Sequence, residues 1–280
     1  MEQLVSMKQR IKTIEVIRKI TNAMRLISMS MHSKLRNRRS NLENYKVTFY
    51  QLWSRISHLL GKNIKDIDLT TNKGNLIILV ASQKGLSGVF NSELFQFFNK
   101  YKINSDDRFI TVSKYADDYL RSKDIPILES YKQLTSNTFV HISQSITNII
   151  LKNLDQFNSI RVFSNHPKTF FIQEPKENIV FPFSQQANQN NNQQENVDYI
   201  FDQPVQELSE TIKQLIISIN IQDLIFESLL AEQAARFLSM DSATRNAENL
   251  LSNMKIEYNK LRQANITREL TELSSSFNQI

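Results

Sequence analysis

The sequence predicts an α+β protein: a long antiparallel coiled coil of N- and C-terminal helices with an inserted α/β, Rossmann-like sheet domain. Three observations predict it. From Met1 to Leu60, and again from Val205 to Ile280, there is neither glycine nor proline. All four glycines fall between Gly61 and Gly88, and all five prolines between Pro126 and Pro204. In that middle region short apolar runs alternate with amphipathic ones, the pattern of strands separated by helices.

The first helix follows from spacing. Leu4, Met7, Ile11, Ile14, Ile17, Ile20, Met24, Ile27 and Met31 step by three or four, close to the 3.5-residue average that winds two helices left-handed. The strands come next, at Asn75–Ala81, Phe109–Ser113, Ile160–Ser164, Thr169–Gln173 and Asn178–Phe183, short runs that are mostly β-branched or aromatic. Helices are expected over Asn91–Tyr101, Lys114–Lys123 and Asn137–Phe157. The run Ser184 to Asn196 is nearly all Asn and Gln and has almost nothing to bury, so it reads as a solvated loop. The resulting organisation is a helix at 1–60, an α/β domain at 70–183, a loop and connector at 184–203 and a second long helix at 204–280.

If the inserted domain is compact, its two ends emerge close together and the flanking helices pair antiparallel. Ala247, Leu250, Met254, Tyr258 and Leu261 supply a facing seam, after which the apolar phase shifts to Ile266, Leu270, Leu273 and Phe277. The last helix is the longer, so its tip should overhang by roughly 20 Å at the standard rise. A lone helix in water cannot bury such a stripe. Either another body sleeves the tip, or it folds back or frays.

Composition narrows the function classes. The absence of cysteine excludes disulfides, thiolate chemistry and Cys-ligated zinc, and fits a reducing compartment. Apolar runs such as Leu76–Ala81 are shorter than the roughly 18 residues that span a bilayer, and MEQLVSMKQR has no apolar core of a signal peptide. No direct membrane span and a cytoplasmic location are expected. A phosphate-cradling G-x-x-x-x-G-K-[ST] loop is absent. Gly85 and Gly88 form only G-x-x-G, lacking the third glycine of a dinucleotide loop, and read as a tight turn. His32, His58, His141 and His166 have no metal-ligand spacing. No catalytic, cofactor or metal site is expected.

Charge leaves two readings. Arg10, Lys12, Arg18, Lys19 and Arg25 make the first helix strongly basic within a chain of net charge +6. This is either a solvated helix face or a surface for an acidic partner. Base-reading residues and a recognised nucleic-acid fold are missing, so no nucleic acid is expected.

Three segments carry a family resemblance. AEQAARFLSMDSATRNAENLL with EYNKLRQANITRELTEL at the C-terminal end, MKQRIKTIEVIRKITNAMRLISMSMHSKLR at the N-terminal end, and ASQKGLSGVFN after the first strand together resemble the γ subunit of F-type ATP synthases. Ser87 stands where that family usually has Cys. The resemblance implies a non-catalytic central rotor shaft inside an α3β3 hexamer, coupling rotation to conformational cycling of the β subunits in ATP synthesis or hydrolysis with proton transport. Its partners would be the α, β and ε subunits and the membrane c-ring, on the inner face of a bacterial cell membrane.

The resemblance also implies site residues. Arg262, Gln263, Thr267 and Glu269 match a polar catch for the hexamer's collar, against ordinary helix polarity. Met24 matches a contact with the β levers, against core packing. Arg10, Lys12, Arg18, Lys19 and Arg25 would form a basic shaft face toward the acidic lever segment, and Leu270, Leu273 and Phe277 the collar tip. The chain departs from the family in its polar end, ELSSSFNQI, and in its Asn/Gln loop. A shaft of a specialised F1-like ATPase motor without proton coupling, and a non-rotary basic coiled-coil scaffold, are the alternative readings.

Overall fold

The computed structural model describes residues 2–59, 74–182 and 204–277. The expected Asn/Gln loop, the 184–203 connector, the end of the expected strand at Phe183 and the side chain of Phe277 lie outside the described residues. Contacts divide the chain into two compact units, one of residues up to Ser30 with those from Arg236, the other Met31–Ala235. The helices α1 (Glu2–Leu59) and α5 (Val205–Phe277) contribute to both.

In the smaller unit the two helices run antiparallel, as the pairs Glu15–Lys255, Thr21–Thr244 and Arg25–Asp241 establish. Their seam follows the expected apolar stripe through Ile14 and departs from it beyond. On α1 the seam follows Leu4, Met7, Ile11, Ile14, Arg18, Thr21, Arg25 and Ser28, alternating steps of three and four, with Glu15, Asn22 and Met24 partly covered along its border. The expected stripe takes three steps of three in succession, from Ile11 through Ile14 and Ile17 to Ile20, and so rotates out of a 3.5-residue repeat. Ile20 and Ile27 are accordingly 55% and 61% exposed, while Ser28 is 1% exposed. On α5 the seam runs through Met240, Thr244, Ala247, Leu251, Met254, Tyr258 and Leu261, so Leu251 replaces the expected Leu250, which faces solvent.

The middle of this seam is polar, and its polar side chains are tied to one another, although Arg25 Nε is buried without a partner. Arg25 donates to Asp241 Oδ1 at 2.9 Å and to Asn22 Oδ1 at 2.9 Å. Thr244 donates to Met240 O and lies 3.0 Å from the Thr21 hydroxyl. Such layers fix register, because a slip would strand each group without its partner.

In the larger unit a five-stranded sheet has the order β3-β2-β1-β4-β5. The central β1 (Leu76–Val80) pairs in parallel with β2 (Arg108–Val112) and β4 (Ile160–Pro167), and β3 (Ile127–Tyr131) lies parallel outside β2. β5 (Gln173–Phe181) returns antiparallel on β4. Helices α2 (Phe90–Phe98), α3 (Lys114–Arg121) and α4 (Phe139–Lys152) connect the parallel strands.

Two cores explain the unbroken apolar run of β1. Leu76, Ile78 and Val80 face one way, onto Ile142, Ile146 and Ile150 of α4, Ile217, Ile221, Phe226 and Leu230 of α5, and Leu35 of α1. Ile77 and Leu79 face the other way, onto Leu94 and Phe98 of α2 and Ala116 and Leu120 of α3. A parallel strand covered on both faces has no polar side to show. The same packing explains why α5 contains an 18-residue window apolar enough to cross a membrane by length and composition: 61% of it is buried inside the protein.

Two strand expectations are corrected. Thr169–Gln173 is not a strand, apart from Gln173. Thr169–Ile172 is the turn of the β4–β5 hairpin, closed by Lys168 N and Thr169 N donating to Ile172 O. Its aromatic residues mimic a strand, yet Phe171 is 71% exposed and Phe170 packs edge-on against His32. The second correction is β3, which the apolar pattern does not predict because ILESY is short and half polar, as suits an edge strand with one free side.

An ion cluster fastens α3 to β3's end. Asp117, buried, accepts from Arg121 at 2.9 Å and lies 3.2 Å from Lys132. Burial alone would raise its carboxyl, but the bonds from Arg121 and Lys132 outweigh it and hold it down at about 2, below the ordinary 3.8. A group with a depressed folded value stabilises above its unfolded value and loses that contribution as pH falls through the folded one. Asp117→Asn should therefore cost about 1–2 kcal/mol near neutral pH, after allowing for exposed partners. Urea titrations should show the deficit shrinking as pH falls from about 4 toward 2.

Candidate functional site

The tip of α5 is bare. From the Glu15–Lys255 pair, Glu2 lies level with position 268, so α5 runs on to Phe277 for roughly 14 Å at 1.5 Å per residue. This overhang is shorter than expected. Below it, Gln3, Met7 and Arg10 still line a shallow groove with Leu261. From Arg262 to Ser274 only Asn265 is partly covered, and Ile266, Leu270 and Leu273 are 49%, 62% and 57% exposed.

All four polar candidates on this segment are exposed. At about 100° per residue, Ile266, Leu270 and Leu273 form one stripe, with Arg262 and Glu269 along one side and Gln263 and Thr267 along the other. The structure thus makes two polar pairs flanking an apolar strip, not one cluster of four. Thr267 returns its hydroxyl proton to Gln263 O at 3.0 Å, which leaves its oxygen facing outward as an acceptor.

On α1 the basic residues likewise divide. Lys12 and Lys19, seven apart, share an outward face and are exposed. Arg10 borders the groove beside Leu261. Arg18 and Arg25 fall on seam positions, and Arg25 is engaged by Asp241, whose carboxyl the bond from Arg25 draws below its ordinary value. Met24 is partly covered and stands at the seam's edge. Sequence reasoning missed the outer face of α1, where Val16, Ile20 and Ile27 are exposed. The signal is present as apolar residues in excess of one seam, but spacing alone assigns them to the seam itself.

The larger unit shows what the glycine turn after β1 does. Gly88 has φ 63°, and Leu86, a bulky residue, φ 64°. The backbone N–H groups of Gln83 and Lys84 do not face an open phosphate site: both donate to the Glu232 carboxylate, at 3.0 and 3.2 Å. Elsewhere His166 Nδ1 lies 2.5 Å from Glu227, which also binds Arg39 at 3.0 Å. Burial would raise Glu227, but His166, Arg39 and Lys46 outweigh it and lower it. With Lys46–Asp223 and Tyr50–Asn220 these contacts join α1 to α5 antiparallel in this unit too. Among the described residues no group of three His, Asp or Glu side chains is arranged to hold a metal ion.

Comparison with known proteins places this geometry. A family model described as ATP synthase matches residues 3–280. The ATP synthase gamma chain of Clostridium perfringens is 30% identical over 278 residues, covering 96% of this chain and 95% of the relative. The chain belongs to the ATP synthase γ-chain family. The family's gamma chain from Mycoplasmopsis pulmonis is 28% identical over 275 residues, with 98% of both chains covered. Among solved structures, a chain of the Euglena gracilis mitochondrial ATP synthase, OSCP/F1/c-ring, in rotational state 3, superposes with TM-score 0.69 at 15% identity, covering 99% of this chain and 94% of that one. A central stalk/c-ring chain of the Tetrahymena thermophila enzyme gives 0.60 at 18%, covering 80% and 99%. At such identities the superpositions speak for the fold: paired terminal helices around an inserted sheet are the γ-chain architecture.

Proposed function

We propose that this chain is the central rotor shaft of an F1-type ATP synthase/ATPase. It carries no catalysis of its own, and its rotation drives the β subunits of an α3β3 hexamer through successive conformations. The bare tip of α5 carries this reading, since an apolar strip flanked by two polar pairs needs a surrounding body that it can turn within. Coupling then consists of differential contact between an asymmetric shaft and each conformation of the partners.

Within this reading Leu270, Leu273 and Phe277 form the tip inside the collar, and Arg262, Gln263, Thr267 and Glu269 flank it as rotor–stator contacts. Lys12 and Lys19, with Arg10 and Arg18, offer weak, salt-screened attraction to an acidic lever segment, which does not hold the shaft at one angle. Arg25 serves the seam. The sheet domain meets the ε subunit and a membrane c-ring, proton movement is coupled through that ring, and the complex lies peripherally on the inner face of the bacterial membrane. These assignments are supported by the relatives' full-length match and by the c-ring assemblies in which the superposed chains occur.

Purification tests the central claim: one copy of this chain should co-elute with an α3β3 hexamer whose ATP hydrolysis needs α and β, while isolation as a homo-oligomer would refute it. Inverted membrane vesicles should acidify on ATP addition if the ring is coupled. Met24→Lys should lower ATP-driven proton uptake severalfold while shifting the chain's own melting midpoint little; equal loss of both would make Met24 a packing residue.

A further inference from the structure

The order of strands reverses beside β1, with β2 and β3 on one side and β4 and β5 on the other. In doubly wound sheets the crevice at the carboxyl end of such a strand receives anionic ligands, held by loop N–H groups. Here the loop leaving β1 does present two N–H groups there, from Gln83 and Lys84, and both end on the two oxygens of Glu232. Glu232 belongs to α5 and is 1% exposed.

The rest of the loop is strained on one side and tied down on the other. Leu86 at φ 64° and Val89 are thrust outward, 57% and 62% exposed. A leucine in the left-handed region persists only where its surroundings over-determine it. They do so here: Gln83 Oε1 accepts from Leu134 N at 2.9 Å, and Asn91 Oδ1 accepts from Ser82 N at 3.0 Å while its Nδ2 donates to Ser82 Oγ. Asn165 holds Phe90 O at 2.9 Å, and the Phe90 ring packs on Ala231 and Ala235, which bracket Glu232 one turn apart. Of the loop partners named, Glu232 alone brings a charge, and it brings it from the long helix.

The geometry points to Glu232 as a positioning residue: its carboxylate occupies the sheet's anion crevice as a built-in ligand, excludes an external anion, and clamps the 82–89 loop to α5. Its consequence for turnover rests on the rotor reading, in which the loop then turns together with the stretch of α5 that carries Glu232.

Amide hydrogen exchange and chemical rescue on the full chain test the clamp. Glu232→Ala should speed exchange of the 82–89 amides by about tenfold or more, leaving the 160–181 hairpin unchanged. Acetate, which supplies the missing carboxylate, should restore protection to the Glu232→Ala chain, whereas potassium chloride at equal ionic strength should not. Unchanged loop exchange, or acetate acting no better than chloride, would overturn the proposal. Should Glu232→Ala fail to fold, Glu232→Gln keeps the shape and one acceptor, and must show a smaller but measurable acceleration in the same loop. In the assembled complex, ATP turnover of Glu232→Ala should fall severalfold and rise with acetate; protection restored without turnover would remove the positioning role. Failure of the wild-type chain to assemble would count against the rotor reading alone, since the exchange measurement needs no partner.

Discussion

Gly74→Ala is expected to destabilise the sheet by about 3 kcal/mol or more, at the upper end of overpacking effects. A Cβ built at Gly74 would stand 1.9 Å from the carbonyl oxygen of Asp106 and 2.7 Å from the nitrogen of Asp107. These are backbone atoms, so relief requires separating β1 from β2 where they begin. That edge is also held by a closed polar network. Asp107 accepts from Asn75 N at 2.7 Å and from Tyr101 at 3.0 Å, and Ser159 donates to Asn75 Oδ1 at 2.6 Å. Burial and the bond to Asp107 push the Tyr101 phenol up to about 12, so the phenol keeps the proton it donates to Asp107 across the ordinary pH range. Parting the strands would strand several of these groups at once, which is why the loss should exceed that of an ordinary added methyl. Denaturant titration should show a lower midpoint for Gly74→Ala. Gly85→Ala is the control, because its Cβ would meet only the terminal hydroxyl of Tyr115, at 2.8 Å, a group on the end of a movable side chain. A stability equal to wild type for Gly74→Ala would contradict the close approach of the two strands.

Phe226→Ala should cost about 3–5 kcal/mol, the range for deleting a buried aromatic ring. Phe226 is fully buried on α5, within the core shared with α4 and the even-numbered face of β1, and its ring centroid is 5.4 Å from that of Phe139. The cavity would open between the long helix and the sheet, with rigid strands on one side unable to close it. Phe226→Leu should retain most of the stability. Phe171→Ala, at the exposed hairpin turn, should change it by no more than about 0.5 kcal/mol. Thermal or urea unfolding of the three variants would order them; a Phe226→Ala chain as stable as the Phe171→Ala chain would mean that α5 does not rest on the sheet.

The long helices, the position of the insert and most of its strands were legible because each depends on local signals. Absence of Gly and Pro marks the helices, and both-sided burial marks β1, β2 and β4 as apolar runs. β3 was not legible, because an edge strand pairs through backbone atoms and needs few apolar side chains. Thr169–Ile172 misled for the opposite reason: its aromatic residues serve a turn, one against His32 and one in solvent. The seam of α1 shows a third kind of failure. Apolar spacing points to Ile17, Ile20 and Ile27, yet the helix turns Thr21, Arg25 and Ser28 inward, since only α5 supplies the Thr244 and Asp241 that make those polar residues acceptable there.

The candidate site divides in the same way. The stripe of Ile266, Leu270 and Leu273 was readable from spacing, and so was the excess length of α5. That Arg262 with Glu269 and Gln263 with Thr267 lie on opposite sides of the stripe follows once the helix is laid out residue by residue. Glu232 was not readable as a loop ligand, since nothing local links a carboxylate on the last helix to two amides about 150 positions earlier.

By itself, the amino-acid order determined where helices run unbroken, where strands are punctuated, which family the motifs resemble and that no phosphate loop is encoded, all matters of near neighbours and backbone freedom. Only the tertiary structure decided which face of each helix turns inward, which carboxylate fills the crevice beside β1 and which apolar residues are left bare. Those outcomes depend on partners distant in sequence, because a polar group can be buried only where a complementary one has been brought to meet it.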